Sequence, residues 1–374
     1  MIKKKILFSC GDRSADRYLS ELLKSIKNSS TEIEKIVLGG NFSKPYCENF
    51  FEDLVGYDAH GFFSPITLLL KFLKLTIRIK NLFRLEKIDL VVLLDYYGFN
   101  IKIAKLAKKF NIPVIYYITP QVWATRKNRI KKIKKYVDLV INIYPFEQQI
   151  YKDNGIETRY FGHPILDVLD FSSTGEKGNL IGIFPGSRAQ VIKWNFPIML
   201  EVVKNFYQLE ENRKYKFVIF GFEKYTDLYK KYLTKNGLEN IEICYNNKHR
   251  KKIVFAISVS GTGALENMLY EIPMVIIYKL PAIMYFLIKK IILVKYISLP
   301  NIMLNKEIIP EFIQDNIDIK KIVNYMSEML NNKLKRESLI EEFKKVKNIL
   351  SNDNKKRISD IVSKTILEYV YGTN

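Results

Sequence analysis

Cysteine and histidine are both scarce, at three each in 374 residues. Cys10, Cys47 and Cys244 lie far apart and make no CxxC pair. So sparse and odd a set argues against a disulfide framework or a zinc site and fits a reducing cytosol. His60 and His249 are isolated, and neither HExxH nor a Ser/His/Asp signature occurs. His163, in FGHP, reads equally as a ligand-facing residue and as a packed turn histidine. No Asp-x-Asp pair exists. Metal catalysis therefore has little support, and neither a metal site nor a cofactor is expected. Long apolar runs are missing as well, since none reaches the roughly 18 residues of a spanning helix. The opening MIKKKILFSCGD starts like a signal peptide, but its apolar run covers only residues 6–8 and reads better as a first β-strand. Acidic residues are outnumbered, 39 against 60 basic, for a net charge of +21. That excess favours anionic partners: nucleic acid, phosphorylated ligands or an anionic membrane. The plain alternative is a lysine-rich solvated surface. The basic runs lack interleaved base-stacking platforms, so a nucleic-acid partner is not expected.

What is present is an alternation of two patterns. Short β-type runs at 5–10, 35–38, 90–94, 114–118, 139–143 and 159–161 alternate with helical stretches at 16–27, 66–84, 101–110, 127–135 and 146–154. The strands are apolar on both faces, as in a parallel sheet covered on both sides. DFSSTGEKGN, residues 170–179, is the best linker. The rhythm then restarts at 180–184, 216–220, 241–244, 253–259 and 274–278, and the chain from residue 318 on is helical and highly charged. The expected fold is α/β, with two doubly wound, Rossmann-like domains and an intervening cleft. Their expected bounds are 1–169, a linker at 170–179, 180–350, and a helical tail at 351–374. In such sheets ligands sit outside the carboxyl ends of the strands.

Several strand ends carry chemistry. FPGSRAQVI ends the restart strand in a tight turn, then presents Ser187 and Arg188. Such turns form anion-binding concavities, and arginine suits bidentate phosphate contacts. An ordinary turn with a surface arginine fits equally. SVSGTGALE puts Ser260, Gly261 and Thr262 at a helix start, with Glu266 one turn on. Glycines there let a ligand approach the backbone, and the unpaired N–H groups with the helix dipole attract phosphate. Glu266 could accept hydrogen bonds from a ribose. The pattern is not GxxxxGK[ST], which excludes a P-loop, and a glycine-rich cap without a ligand stays open. In LLDYYGFN a buried strand ends in Asp95, a carboxylate at the cleft edge or a simple turn cap. In YYITPQVWATRKNRIKKI, Gln121 and Trp123 offer polar and aromatic surface ahead of a basic helix.

Together, LLDYYGFN, YYITPQVWATRKNRIKKI, YPFEQQIYKDNGI, FGHPILD, FPGSR, SGTGALE and YISLPNIMLNKEIIPEFIQ resemble the lipid-A-disaccharide synthases, in family order over most of residues 5–315. The resemblance implies the two-domain GT-B fold. It implies transfer of 2,3-diacylglucosamine from its UDP conjugate to 2,3-diacylglucosamine 1-phosphate (lipid X), by an inverting, metal-independent route. It implies UDP-sugar contacts from Ser187, Arg188, Ser260, Gly261, Thr262, Glu266, Asn301 and Gln314. Acceptor contacts would come from Asp12, Ser14, Asp16, Asn100, Gln121 and Trp123, with Asp95 as general base. It implies a cytoplasmic enzyme, peripheral on the inner membrane, and a homodimer is among the assemblies it allows. Two departures concern the acceptor side. The family's Gly-Glu-x-Ser-Gly-Asp loop reads Gly11-Asp12-Arg13-Ser14-Ala15-Asp16, and Tyr97 stands where the family has proline. Other UDP-sugar enzymes of the same fold, and a non-catalytic basic protein binding membrane or RNA, are the rivals. In the segment 64–84, Lys71, Lys74 and Arg78 share one helical face, with Leu68, Leu69, Phe72, Ile79 and Phe83 expected largely elsewhere on its surface. MYFLIKKIILVKY, with Lys289, Lys290 and Lys295, repeats the mixture. Both stretches suit the interface of an anionic bilayer.

Overall fold

In a computed structural model of the chain, the described residues are 3–27, 32–59, 65–124, 128–171, 178–246, 249–352 and 356–372. His60, most of the expected linker and the first residue of the expected 127–135 helix lie outside them. The chain divides into two compact units, Met1–Leu169 with Ile349–Asn374, and Asp170–Asn348. The last helix thus belongs with the first unit.

The first unit holds seven strands: β1 (Lys4–Cys10), β2 (Ile33–Gly39), β3 (Asn49–Asp53), β4 (Leu90–Leu94), β5 (Val114–Tyr117), β6 (Leu139–Asn142) and β7 (Thr158–Tyr160). They pair in the order β3-β2-β1-β4-β5-β6-β7, and every pairing is parallel. All five residues of β4 are buried, as a sheet covered on both faces requires. Against one face, Leu75, Ile79, Leu82 and Phe83 of the helix Pro65–Leu85 join Leu7, Val91, Leu93 and Tyr116 in a core. The helix Ile358–Tyr371 packs on the helix Arg13–Lys27. It is held there by Ser25 Oγ donating to Asp360 at 2.6 Å and by Arg357 pairing with Glu21 at 2.5 Å.

The second unit holds β8 (Leu180–Phe184), β9 (Lys216–Phe220), β10 (Glu242–Cys244), β11 (Ile253–Ser258), β12 (Met274–Tyr278) and β13 (Glu311–Ile313). Their order is β10-β9-β8-β11-β12-β13, again all parallel. In both sheets the strand order reverses beside the first strand, between β1 and β4 and between β8 and β11. That reversal opens the crevice where doubly wound sheets take ligands. β3 and β13 were not expected from the sequence; both are edge strands, and only partly buried.

Two expectations for the helix Pro65–Leu85 are corrected. Ile79 and Phe83 are core residues, and Phe72 stacks on Phe99 at 4.9 Å. Leu69 is exposed as expected, and the rest of the exposed apolar face is Ile66, Leu70, Leu73 and Ile77. Arg78 is paired with Glu52, and Lys71 lies over the Tyr57 ring.

Candidate active site

At the carboxyl end of β4 the backbone turns sharply. Asp95 and Tyr96 have φ of 48° and 44°, and Ile118, just beyond β5, has φ of 59°. A left-handed β-branched or aromatic residue is strained and persists only where its surroundings over-determine it. They do so here. The Asp95 N–H donates to the Ile118 carbonyl at 2.9 Å, and the Asp95 carbonyl accepts from Tyr116 Oη at 2.7 Å and Asn100 Nδ2 at 2.9 Å. Asn100 is fully buried, exchanging bonds with both Ser9 Oγ and the Ser9 and Leu94 carbonyls. It therefore locks β1 to β4 and fixes the Asp95 turn. Gly11 allows the close approach of the two strand ends, because a Cβ there would meet the Tyr96 ring at 2.4 Å. Asp12 and Asp95 thus leave neighbouring strands at the reversal point. Asp12 Oδ1 accepts from the Ser14 N–H at 3.0 Å. Asp16 is buried, and its carboxylate is occupied by the Gly40 and Phe42 N–H groups, both at 2.9 Å, and by Ser43 Oγ. It shapes the loop after β2. Gln121 is exposed after β5. Trp123 is half-buried, its Nε1 donating to Glu147 at 2.8 Å and its ring meeting Phe146 edge-on at 5.0 Å. His163 is a packed turn residue. Its Nδ1 accepts from the Ile165 N–H at 3.0 Å, and burial pushes its pKa down to about 3, so it stays neutral.

In the second unit β8 runs into Pro185 and Gly186, whose φ of 103° only glycine adopts without strain. Ser187 and Arg188 follow, both exposed, ahead of the helix Ala189–Tyr207. Arg188 stands near enough to Tyr278, at the end of β12, to oppose the upward push that burial gives that phenol. Beside it, β11 leads through Ser260 to Gly261, with φ of 135°, and the helix Thr262–Leu269 begins. A Cβ on Gly261 or Gly263 would meet nothing within 4 Å, so the helix start faces open space. Its first N–H groups have no partner within the helix and suit an anion. Ser260 Oγ donates to the Ile297 carbonyl at 2.6 Å. Asn301 is fully buried and bonded to the Ile308 and Ile309 backbone and to Glu311. Gln314 is buried, donating to the Leu280 carbonyl at 3.3 Å. Glu266 forms a buried ion pair with Arg250, whose guanidinium lies over Phe184 at 4.8 Å. Asn301 and Glu266 therefore hold the loops of this strand edge in place. Ser187, Arg188, Ser260, Gly261 and Thr262 lie at its surface or partly open to it.

A family profile described as Lipid-A-disaccharide synthetase matches residues 6–364. A lipid-A-disaccharide synthase of Legionella pneumophila is 30% identical over 364 residues, covering 93% of this chain and 94% of that one. One of Persephonella marina is 30% identical over 390 residues, covering 97% and 100%. The chain belongs to the lipid-A-disaccharide synthase family. Its fold is similar to that of a putative UDP-N-acetylglucosamine 2-epimerase of Listeria monocytogenes. The TM-score is 0.69 at 11% identity, over 100% of this chain and 98% of that one. The architecture is the two-domain GT-B fold.

Within this lipid-A-disaccharide synthase fold, sequence reasoning passed over three residues. Glu311 accepts from the Ile297 and Ser298 N–H groups at 2.8 and 2.9 Å and from Ser298 Oγ and Asn301, and so folds the SLPN loop. Asn195 clamps both backbone groups of Lys279 at the end of β12. Arg250 neutralises Glu266 from a different turn. No local pattern announces the first two, since each grips the backbone of a distant segment. Arg250 was hidden in a basic run that reads as surface.

Proposed function

We propose that this chain transfers 2,3-diacylglucosamine from UDP to 2,3-diacylglucosamine 1-phosphate, giving a β-1,6-linked disaccharide 1-phosphate and UDP. The observation that carries the reading is family membership over nearly the whole chain. The local geometry supports roles for particular residues. The diphosphate lies against the N–H groups at Gly261, Thr262 and Gly263, with Arg188 supplying positive charge at the leaving group. Asp95 takes the proton from the acceptor 6-hydroxyl as that oxygen attacks the anomeric carbon. The bond from that carbon to the phosphate oxygen breaks, UDP leaves with the electron pair, and the anomeric centre inverts. The strained, over-determined Asp95 turn supports this assignment. Charge on the leaving diphosphate is met by these protein groups, so the route is metal-independent.

The acceptor lies near Asp12, Ser14 and Gln121, and the uridine side near Ser187 and Ser260. Asp16, Asn100, Asn301, Glu266 and Gln314 support these loops from beneath. Both substrates carry acyl chains, and we place the enzyme on the cytoplasmic face of an anionic membrane. The exposed apolar faces support that placement: Ile66, Leu69, Leu70, Leu73 and Ile77 in the first unit, Ile283, Met284, Phe286 and Leu287 in the second. Among the described residues no helix is long and apolar enough to cross a bilayer.

The test is incubation with UDP-diacylglucosamine and diacylglucosamine 1-phosphate, read by mass spectrometry. A disaccharide 1-phosphate with matching UDP is expected. Recovery of a C2-epimerised UDP-sugar, or consumption of donor without acceptor, would overturn the reading.

A further inference from the structure

Glu147 opens the helix Pro145–Asp153, yet its carboxyl is wholly buried. As the third helical residue it makes the usual capping bond, Oε2 accepting from the Tyr144 N–H at 3.4 Å, and its other oxygen, Oε1, accepts from Trp123 Nε1 at 2.8 Å. The indole meets the stacked rings of Tyr144 and Phe146 edge-on, with ring centroids at 6.1 and 5.0 Å. Trp123 belongs to the stretch that leaves β5 and carries Gln121, so this bond is a polar anchor of that stretch to the neighbouring helix.

We infer that Glu147 is a positioning residue for the acceptor-side loop 119–124, its carboxyl gripped between the Trp123 indole and the Tyr144 amide so that Gln121 is held in place. The inference rests on the reading of this strand edge as the acceptor side. The groups that face Glu147 are Tyr144 and Tyr151 from its own helix and cap, and Tyr160 from β7. Through the Tyr144 ring stand His163, Tyr18 of the helix Arg13–Lys27, and Asp95. Among the described residues no cation bears on the carboxyl. Burial pushes its pKa up to about 8, against the smaller opposing pull of the Trp123 and backbone bonds. Tyr144, Tyr151 and Tyr160 titrate far above that and His163 far below it, so across about pH 6.5–9.5 Glu147 changes charge and these four neighbours do not. Ionisation leaves a charge with no cation in a buried site, and water must enter beside Trp123. The sign follows. The native acid holds its proton more tightly than an unfolded glutamate near pKa about 4.3. Its contribution to stability is therefore full below that value and lost as pH rises through about 8.

The chain has two tryptophans, so Trp194→Phe leaves Trp123 as the one emitter. We expect its emission to shift red with a single midpoint near pH 8, and the shift to vanish in Glu147→Gln, which mimics the neutral acid. The KM for the diacylglucosamine 1-phosphate acceptor should rise over the same window, with the KM for UDP-sugar steady. Glu147→Ala should raise the acceptor KM about tenfold at pH 7, the scale of one lost buried hydrogen bond. Glu147→Gln should recover most of it. Emission flat across this range, or a shift that persists in Glu147→Gln, overturns the inference. So does an acceptor KM that ignores a pH at which Trp123 has moved. Failure to form any disaccharide would count against the proposed reaction, while the emission titration still decides the anchor.

Discussion

Removing Arg250 should loosen the helix that carries the Ser-Gly-Thr-Gly start without disturbing the first unit. The side chains of Arg250 and Glu266 are only 4% and 11% exposed, so solvent screens their attraction little. The guanidinium also lies over Phe184, Phe220 and Tyr270, at 4.8, 5.7 and 5.9 Å. Breaking a buried pair by deleting one partner typically costs about 3–5 kcal/mol, and a buried cation–π contact about 2 more. The lower end of the ion-pair range alone is about 3 kcal/mol. At about 1.4 kcal/mol per decade this is a roughly 100-fold loss of protection. Hydrogen exchange read by mass spectrometry should show that loss in Arg250→Ala over Thr262–Leu269. Exchange over the first unit's helix Tyr97–Lys109 should be unchanged. Adding Glu266→Gln to Arg250→Ala should restore much of the protection, because the uncompensated charge is gone. Protection of Thr262–Leu269 within about threefold of the parent in Arg250→Ala would refute the argument. Equal losses in both units would refute it too.

Thr262→Val and Arg188→Ala should each weaken UDP binding by about 10- to 100-fold, since a hydrogen bond to a charged group contributes roughly 1.5–3 kcal/mol. Calorimetry finding UDP affinity unaltered in both variants would remove the diphosphate from this helix start. Leu69→Glu with Leu73→Glu should abolish co-sedimentation with anionic liposomes, because both side chains are half-exposed on the apolar face. Changing Lys71, Lys74 and Arg78 to Gln should weaken it less, as Arg78 is already paired with Glu52. Recovery of the parent protein in the supernatant at low salt would count against the membrane reading.

The fold was legible where burial is complete on both faces. LVVLL of β4 and MVIIY of β12 read as strands because covered parallel strands have no polar alternation. β3 and β13 were not legible, being edge strands with mixed burial and, in β13, only three residues. The turn at Gly261 was legible because its φ of 135° is one that glycine alone adopts easily. The bonds of buried amide and carboxylate side chains were not legible, for one reason. Asn100, Asp16 and Asn301 each meet groups that only tertiary folding brings to them. Ser9 meets Asn100 across 91 positions, a distance over which no local pattern carries information. The same holds for the final helix, which Asp167 caps by accepting from Ile358 and Ser359 across more than 190 positions.

The central claim is that Asp95, at the strained end of β4, removes the acceptor proton while nucleotide binding resides in the second unit. Its most direct measurement is the rate of disaccharide 1-phosphate formation by Asp95→Asn beside the parent, with chelator present and UDP affinity followed by calorimetry. Asn keeps the size of the side chain and removes its basicity. A fall of about 10²–10⁴-fold in turnover is expected, the usual weight of a general base, with UDP affinity nearly unchanged. Turnover of Asp95→Asn within a few-fold of the parent would contradict the account.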